Sequence, residues 1–259
     1  MTSSDEDVSR RPPSQRIADD LRAAIERGQL AGGELLPSER ELARKYGTAR
    51  NTARAAIHLL SVAGLVVVQQ GKGAFVRSTG PLIRLGSDRY SPRHREGGIA
   101  PFQSECARQG KVGRVEMLSV ERVIPPTDIA ERLELPARQR SVVRRESVSY
   151  ADDDPVHRVT TWIPWSIARG TGLTRADTGH PKGIYGVFED QGHHMTRLRE
   201  EVDARMPTPD EIEALRVPSG VPVLDVLHTS LDQDGRAYEL TRFVMRADMT
   251  GLVYNTPVE

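Results

Sequence analysis

Cysteine is nearly absent: Cys106 stands alone among 259 residues. One thiol excludes an internal disulfide framework and any zinc cluster built on cysteine, and it fits a reducing, cytoplasmic compartment. Long apolar runs are missing too. Nothing approaches the roughly 18 consecutive apolar residues that span a bilayer, so no membrane partner is expected. Met1 to Pro12 are polar and charged, without the apolar stretch of a secretory signal, and residues 1–13 read as a disordered arm. The chain also lacks a nucleophile elbow, a metal motif and a cofactor lysine. Neither a catalytic residue nor a cofactor is therefore expected. Finally, net charge is absent, with 36 basic residues against 36 acidic ones.

The zero sum conceals an asymmetry. Residues 8–77 hold 12 Lys/Arg and 6 Asp/Glu, a balance of +6, whereas residues 78–259 hold 24 and 27, a balance of −3. A basic head on a mildly acidic body is the footprint of a nucleic-acid-binding domain joined to something else. Between the two, residues 78–101 are rich in glycine and proline without an apolar period and read as a linker. The expected domains are residues 14–77 and 102–259.

In the first domain, Ile17, Leu21 and Ile25 recur on one helical face. Ser38 followed by Glu41 is a capping box that starts a second helix. Gly47 ends it, and Thr48 is placed to cap a third helix running to about Ala63. Apolar residues 65–68 and 74–76 flank Gly71-Lys72-Gly73, a hairpin with a basic glycine tip. This tip is not a phosphate-binding P-loop, since no glycine stands five residues before Gly71 and neither Ser nor Thr follows Lys72. At 100° per residue, Arg50, Asn51, Arg54, His58 and Ser61 share one arc of the third helix while the alanines and leucines cover the rest. Arg and Asn are the side chains that read base edges bidentately, and a major groove admits such a helix. A helix, a glycine turn, an arginine-bearing helix and a basic hairpin make a winged helix-turn-helix.

Leu36-Pro37-Ser38-Glu39-Arg40-Glu41-Leu42-Ala43, Tyr46-Gly47, Arg50, Thr52, Arg54, Ala56, Gly64-Leu65 and Gly71-Lys72-Gly73-Ala74-Phe75-Val76 resemble the DNA-binding domain of GntR-family regulators. The resemblance covers about residues 14–77. It implies that Arg40, Arg50, Arg54 and Gly71 contact DNA; Ala49 departs from the Ser or Thr often found there. With the helix face and the wing, the expected DNA-binding set is Ser38, Arg40, Arg50, Asn51, Thr52, Arg54, His58, Gly71, Lys72 and Gly73.

In the second domain, strands are expected over 116–124, 141–150, 156–163, 221–231 and 236–246, with helices over 127–135, 185–190 and 208–216. Asp234-Gly235 marks a hairpin turn. This is an α+β pattern with a mostly antiparallel sheet. Residues 102–110, Asp152 to Pro155, Thr161-Trp162-Ile163-Pro164 and Glu239 to Val244 with Arg246 and Asp248 resemble the HutC subfamily and its UTRA effector domain. That resemblance implies a chorismate-lyase-like fold, a pocket for a small-molecule effector, and a homodimer held through this domain. Members that sense phosphosugars often carry arginines two apart in the strand before the Asp-Pro turn; the positions here are Ser147 and Ser149. The expected effector-binding residues are Phe102, Arg144, Arg145, His157, Thr161, Trp162, Glu239 and Arg242. Strand alternation lets only one of Arg144 and Arg145 face the pocket.

Other features read as structural. His193-His194 lacks further ligands at metal spacing, Cys106 reads as a packed thiol, and Glu200, Glu201 and Asp203 among arginines read as a solvated strand face. The expected function is a sequence-specific transcriptional regulator, a repressor by default, on an inverted-repeat operator. The alternatives are a dimeric DNA-binding protein that needs no ligand and an enzyme of the chorismate-lyase fold. An accessible polar-lined pocket favours the sensor; a filled core favours a pure dimerisation module.

Overall fold

The computed structural model describes residues 11–69, 71–77, 82–84, 89, 100–138 and 141–255. Most of the expected arm and most of the expected linker lie outside the described residues. The chain divides into two compact units, the second beginning at Leu82. Among the described residues, no helix is long and apolar enough to cross a membrane.

The first unit has three helices, α1 (Pro13–Glu26), α2 (Glu39–Lys45) and α3 (Arg50–Val62), and a hairpin of β1 (Val66–Gln69) and β2 (Gly73–Val76). Pro13 sits where a helix has no use for its N–H. Ile17, Ala18 and Leu21 of α1 and Ala53, Ala56, Ile57 and Leu60 of α3 meet in one core with Leu36, Leu42 and Val66. The Ser38 capping box forms as expected. The third helix starts one residue later than expected: Ala49 is its N-cap, no side chain caps it, and the Thr48 N–H donates to the Ala43 carbonyl instead. Ser61 does not join the polar arc, being 2% exposed. It lies in the last turn of a helix that packs against α1 and β1, and a helical projection does not represent such covering.

The second unit is built on six antiparallel strands in the order β4 (Gly113–Val123), β5 (Val142–Ala151), β6 (Asp154–Pro164), β9 (Ala237–Arg246), β8 (Val223–Leu231) and β7 (Arg197–Arg205). A separate parallel pair joins β3 (Leu82–Arg84) to β10 (Thr250–Leu252). Three-residue strands carry too little periodicity to be read from sequence. Thus Leu82–Arg84, inside the stretch read as linker, is a strand with Leu82 and Arg84 buried. Helices α4 (Pro101–Arg108), α5 (Thr127–Arg132), α6 (Trp165–Ala168), α7 (Gly183–Asp190) and α8 (Pro209–Leu215) complete the unit.

Pairing fixes the two faces of the sheet. Arg145, Thr161 and Thr241 are register partners across β5, β6 and β9, so they share a face, as do Ser147, Val159 and Phe243 beside them. On that side α6 and α7 pack over Val143 and Ile163. On the other side Ile129 and Leu133 pack over Val142, Trp162 and Leu240. Glu200 departs from the expected solvated face. Its side chain is 3% exposed and points inward, bonded to Arg84 and His228. Glu201, on the opposite face, pairs with Arg132 as a partly exposed ion pair.

Candidate functional site

In the first unit the capping box fixes the start of α2, and the turn after Tyr46 sets the start of α3. Arg50, Asn51, Arg54 and His58 are exposed along one side of α3, Thr52 is half-buried, and Arg40 is exposed on α2. The Ser38 hydroxyl is committed locally: it donates to Glu41 Oε2 at 2.8 Å and accepts from the Glu41 N–H. On the wing, Gly71 and Gly73 adopt φ of +75° and +118°, a region that disfavours side chains. A Cβ on Gly73 would also lie 2.8 Å from Leu35 Cδ1. Lys72 between them is exposed. The result is a row of donors on the helix and a cation on the wing, residue types that suit base edges and phosphates.

Sequence reasoning missed one participant. Glu39 accepts from Arg50 Nε at 2.9 Å and from Arg54 Nε and Nη2 at 2.8 and 3.1 Å. The Arg54 hydrogen bonds, working against partial burial and aided by Arg50, hold the Glu39 carboxyl below the usual range.

The second unit holds a partly open cavity of about 390 Å³ on the α7 side of the sheet. Of the expected effector residues, Phe102, Arg145, Thr161 and Glu239 line it. Arg145, not Arg144, is the inward member of its pair. Its guanidinium donates to the Leu173, Arg175 and Ala176 carbonyls at 2.6, 2.5 and 3.1 Å, pinning the segment that closes one end. Arg144 points the other way, to Glu121 at 2.8 Å. Trp162 and Arg242 also lie on the far face, Trp162 in the apolar layer under α5 and Arg242 bonded to Asp225. His157 shares the cavity face but lies off the wall, fully buried, 3.2 Å from Thr250 Oγ1 and edge-on to Phe102.

The wall mixes apolar side chains, among them Val115, Met117, Val159, Ile184 and Phe243, with the hydroxyls of Ser147, Ser149, Thr161, Thr241 and Tyr185. Ser147 and Ser149 face the cavity where the phosphosugar pattern has arginines. Glu239 is fully enclosed and accepts from Ser230, Thr241 and Tyr185. Ser230 in turn meets His228 Nε2 at 3.0 Å, and His228 Nδ1 lies 3.1 Å from Glu200, which takes Arg84 at 2.6 Å. Burial works to raise the Glu200 carboxyl, but the hydrogen bonds and charges of His228 and Arg84 outweigh it and hold it well below the carboxylate range. On the opposite wall His180 lies against Gly186 of α7; a Cβ there would be 1.9 Å from His180 Nδ1.

The remaining candidates are structural here. Cys106 is buried in α4, and burial, with the Glu105 and Asp152 charges, pushes its thiol up to about 12. His193 pairs with Asp232 at 3.0 Å and stacks on Tyr238. Among the described residues, no cluster of His, Cys, Asp and Glu could hold a metal ion.

A winged DNA reader ahead of a sheet with a ligand-sized cavity of mixed polar and apolar wall defines a ligand-responsive regulator of transcription. Comparison with known proteins agrees. Residues 13–76 match the bacterial regulatory proteins of the gntR family and residues 108–250 match the UTRA domain. Over 88% of this chain and 86% of its own length, the HTH-type transcriptional regulator SCO4628 of Streptomyces coelicolor is 29% identical. The HTH-type transcriptional repressor NagR of Bacillus subtilis is 25% identical over 94% of both chains. The crystal structure of PhnF from Mycobacterium smegmatis has the same fold, with a TM-score of 0.61 at 21% identity over 94% of this chain and all of that one. The chain belongs to the GntR family of bacterial regulatory proteins, and its second unit is a UTRA domain. It is a DNA-binding transcriptional regulator with an effector domain, not an enzyme of the chorismate-lyase fold.

Proposed function

We propose that this protein is a homodimeric repressor that reads an inverted-repeat operator with α3 and the wing, and that a small molecule in the second-unit cavity changes its hold on that operator. The observation that carries the DNA-reading assignment is the exposed row of Arg50, Asn51, Arg54 and His58 on one side of α3, with Lys72 on the adjoining hairpin. Arg40 and the backbone of Gly71 and Gly73 serve as phosphate contacts, and the helix row supplies base contacts. NagR, and the mannosyl-D-glycerate transport/metabolism system repressor MngR of Escherichia coli at 24% identity, are repressors by name, which supports the sign. A single winged head makes few contacts, and a two-fold protein pair calls for a two-fold site.

The cavity of about 390 Å³ favours a sensor over a module that only dimerises, because its wall carries hydroxyls and a carboxylate where a filled core would carry packed apolar side chains. Phe102, Arg145, Thr161 and Glu239 are the effector contacts, joined by Ser147, Ser149 and Thr241. Selection of bound duplexes from a random pool with the full chain tests the first part, and light scattering of the same chain tests the dimer. Enrichment of a two-fold repeat by a dimer is the expected result; enrichment of a single unrepeated site by a monomer overturns it.

A further inference from the structure

Glu39 does more than neutralise charge. It is the first residue of α2, immediately after the Ser38 cap, so the capping box fixes where its backbone lies. Both of its oxygens are used, and both reach the recognition helix. Oε1 takes Arg54 Nε at 2.8 Å, while Oε2 takes Arg54 Nη2 at 3.1 Å and Arg50 Nε at 2.9 Å. Arg54 is thus gripped along the side edge of its guanidinium. The plane of five donors is rigid, so gripping the side edge aims the end edge, Nη1 and the outer N–H of Nη2, away from the protein. Arg50, held through Nε alone, keeps both of its Nη groups for an outside partner. That end edge is the one a guanine takes through O6 and N7. A carboxylate on the DNA-facing side also repels every phosphate it approaches, whatever the sequence.

We propose that Glu39 is a positioning residue that sets sequence discrimination: it holds Arg50 and Arg54 as one oriented pair and disfavours non-cognate DNA. The proposal rests on the reading of Arg50 and Arg54 as base-contacting residues. It adds a residue that touches no base and governs those that do. Two alternatives make different claims. If Glu39 is only a repulsive charge, its removal strengthens binding to all DNA equally. If it is only a surface ion pair, its removal changes neither affinity.

The test uses the full chain and two duplexes, an operator obtained by selection and a scrambled duplex of the same composition, followed by fluorescence anisotropy at several salt concentrations. Glu39→Gln is expected to bind the scrambled duplex roughly threefold more tightly, from the lost charge. The operator-to-scrambled ratio is expected to fall about tenfold, the worth of one well-placed bidentate contact. Glu39→Asp keeps the charge but is too short to reach both arginines; it is expected to lose the ratio without gaining on scrambled DNA. Far-UV circular dichroism confirms that each variant is folded. An unchanged ratio in both variants overturns the proposal. Arg50→Ala and Arg54→Ala in the same assay keep the two ideas separate: if they leave the ratio intact, the base-reading assignment itself falls, whatever Glu39 does.

Discussion

In the first unit, Glu39, Arg50 and Arg54 meet at the surface, with the two arginine side chains 68% and 61% exposed. In the second, Arg84, Glu200, His228 and Glu239 form a chain of side chains that are 0–3% exposed. Surface pairs in water contribute little to stability and are screened by salt, so the arginine edges that Glu39 leaves free can take phosphates and bases at small cost. Buried charges are different: removing one partner leaves the other enclosed and uncompensated. One unit displays charge within reach of an outside partner, and the other encloses charge in its interior.

The sharpest way to break this contrast is the pair Arg144 and Arg145, neighbours in sequence with opposite surroundings. Arg145→Ala leaves three carbonyls without their donor and opens the segment at the cavity end, which is expected to cost about 3 kcal/mol. Arg144→Ala loses a partly exposed pair with Glu121 and is expected to cost less than about 1 kcal/mol. Trp162 and Trp165 are the only tryptophans and both lie in the second unit, so tryptophan fluorescence during urea unfolding reports that unit alone. Equal costs for the two substitutions break the contrast.

A second test concerns what the exposed charges do. Arg50→Ala and Arg54→Ala are each expected to lower operator affinity roughly tenfold to hundredfold while leaving the unfolding midpoint of the second unit unchanged. Lys72→Ala is expected to weaken all duplexes alike and to reduce the slope of log affinity against log salt by about 1. A loss at Lys72 confined to the operator moves the wing from phosphate contact to base reading.

What could be read from sequence divides along the same line. The capping box, the glycine turn and the hairpin tip are local signals, so α2, α3 and the wing were legible, as were β4, β5, β6, β8 and β9; β7, a charge-rich strand, was not among the expected strands. Ser61 was misplaced because a helical projection takes no account of which elements cover the last turn. The cavity was half legible for a related reason. Alternation was applied to Arg144 and Arg145 but not across strands. With Thr161 and Glu239 as inward positions, the same period sends Trp162 and Arg242 outward and brings in Thr241 and Phe243. Arg145 and Thr161 are themselves register partners, and counting by two along their strands then gives Ser147, Ser149 and Val159. Glu39 carried no local signal as a partner of Arg50 and Arg54, being 11 and 15 residues away from them. Glu200 was legible only as one of a charged run, because its partners Arg84 and His228 come from distant strands.

A pH dependence is expected from the enclosed charge. His157 is fully buried against Thr250 and Phe102. Burial first, and the nearby charges of Arg84 and Arg89 next, hold its imidazole well below the ordinary 6.5. The unfolded chain therefore takes up a proton at His157 in a pH range where the folded chain refuses it. The folded pKa is depressed, so this contribution to stability is fully present above the unfolded value and declines as pH falls below it. Between about pH 7.5 and about pH 5.5 the loss is expected to reach about 1.4 kcal/mol. Carboxylates whose folded values are depressed, among them Glu200 and Asp225, act in the same direction but lower on the pH scale. Urea unfolding followed by tryptophan fluorescence at the two pH values measures the total. His157→Gln, which keeps a hydrogen-bonding group for Thr250, is expected to lower stability at both pH values and to remove the part of the difference that His157 supplies. If the variant keeps the whole pH difference, His157 is protonated in the folded unit, and the enclosed face is wetter than its packing implies.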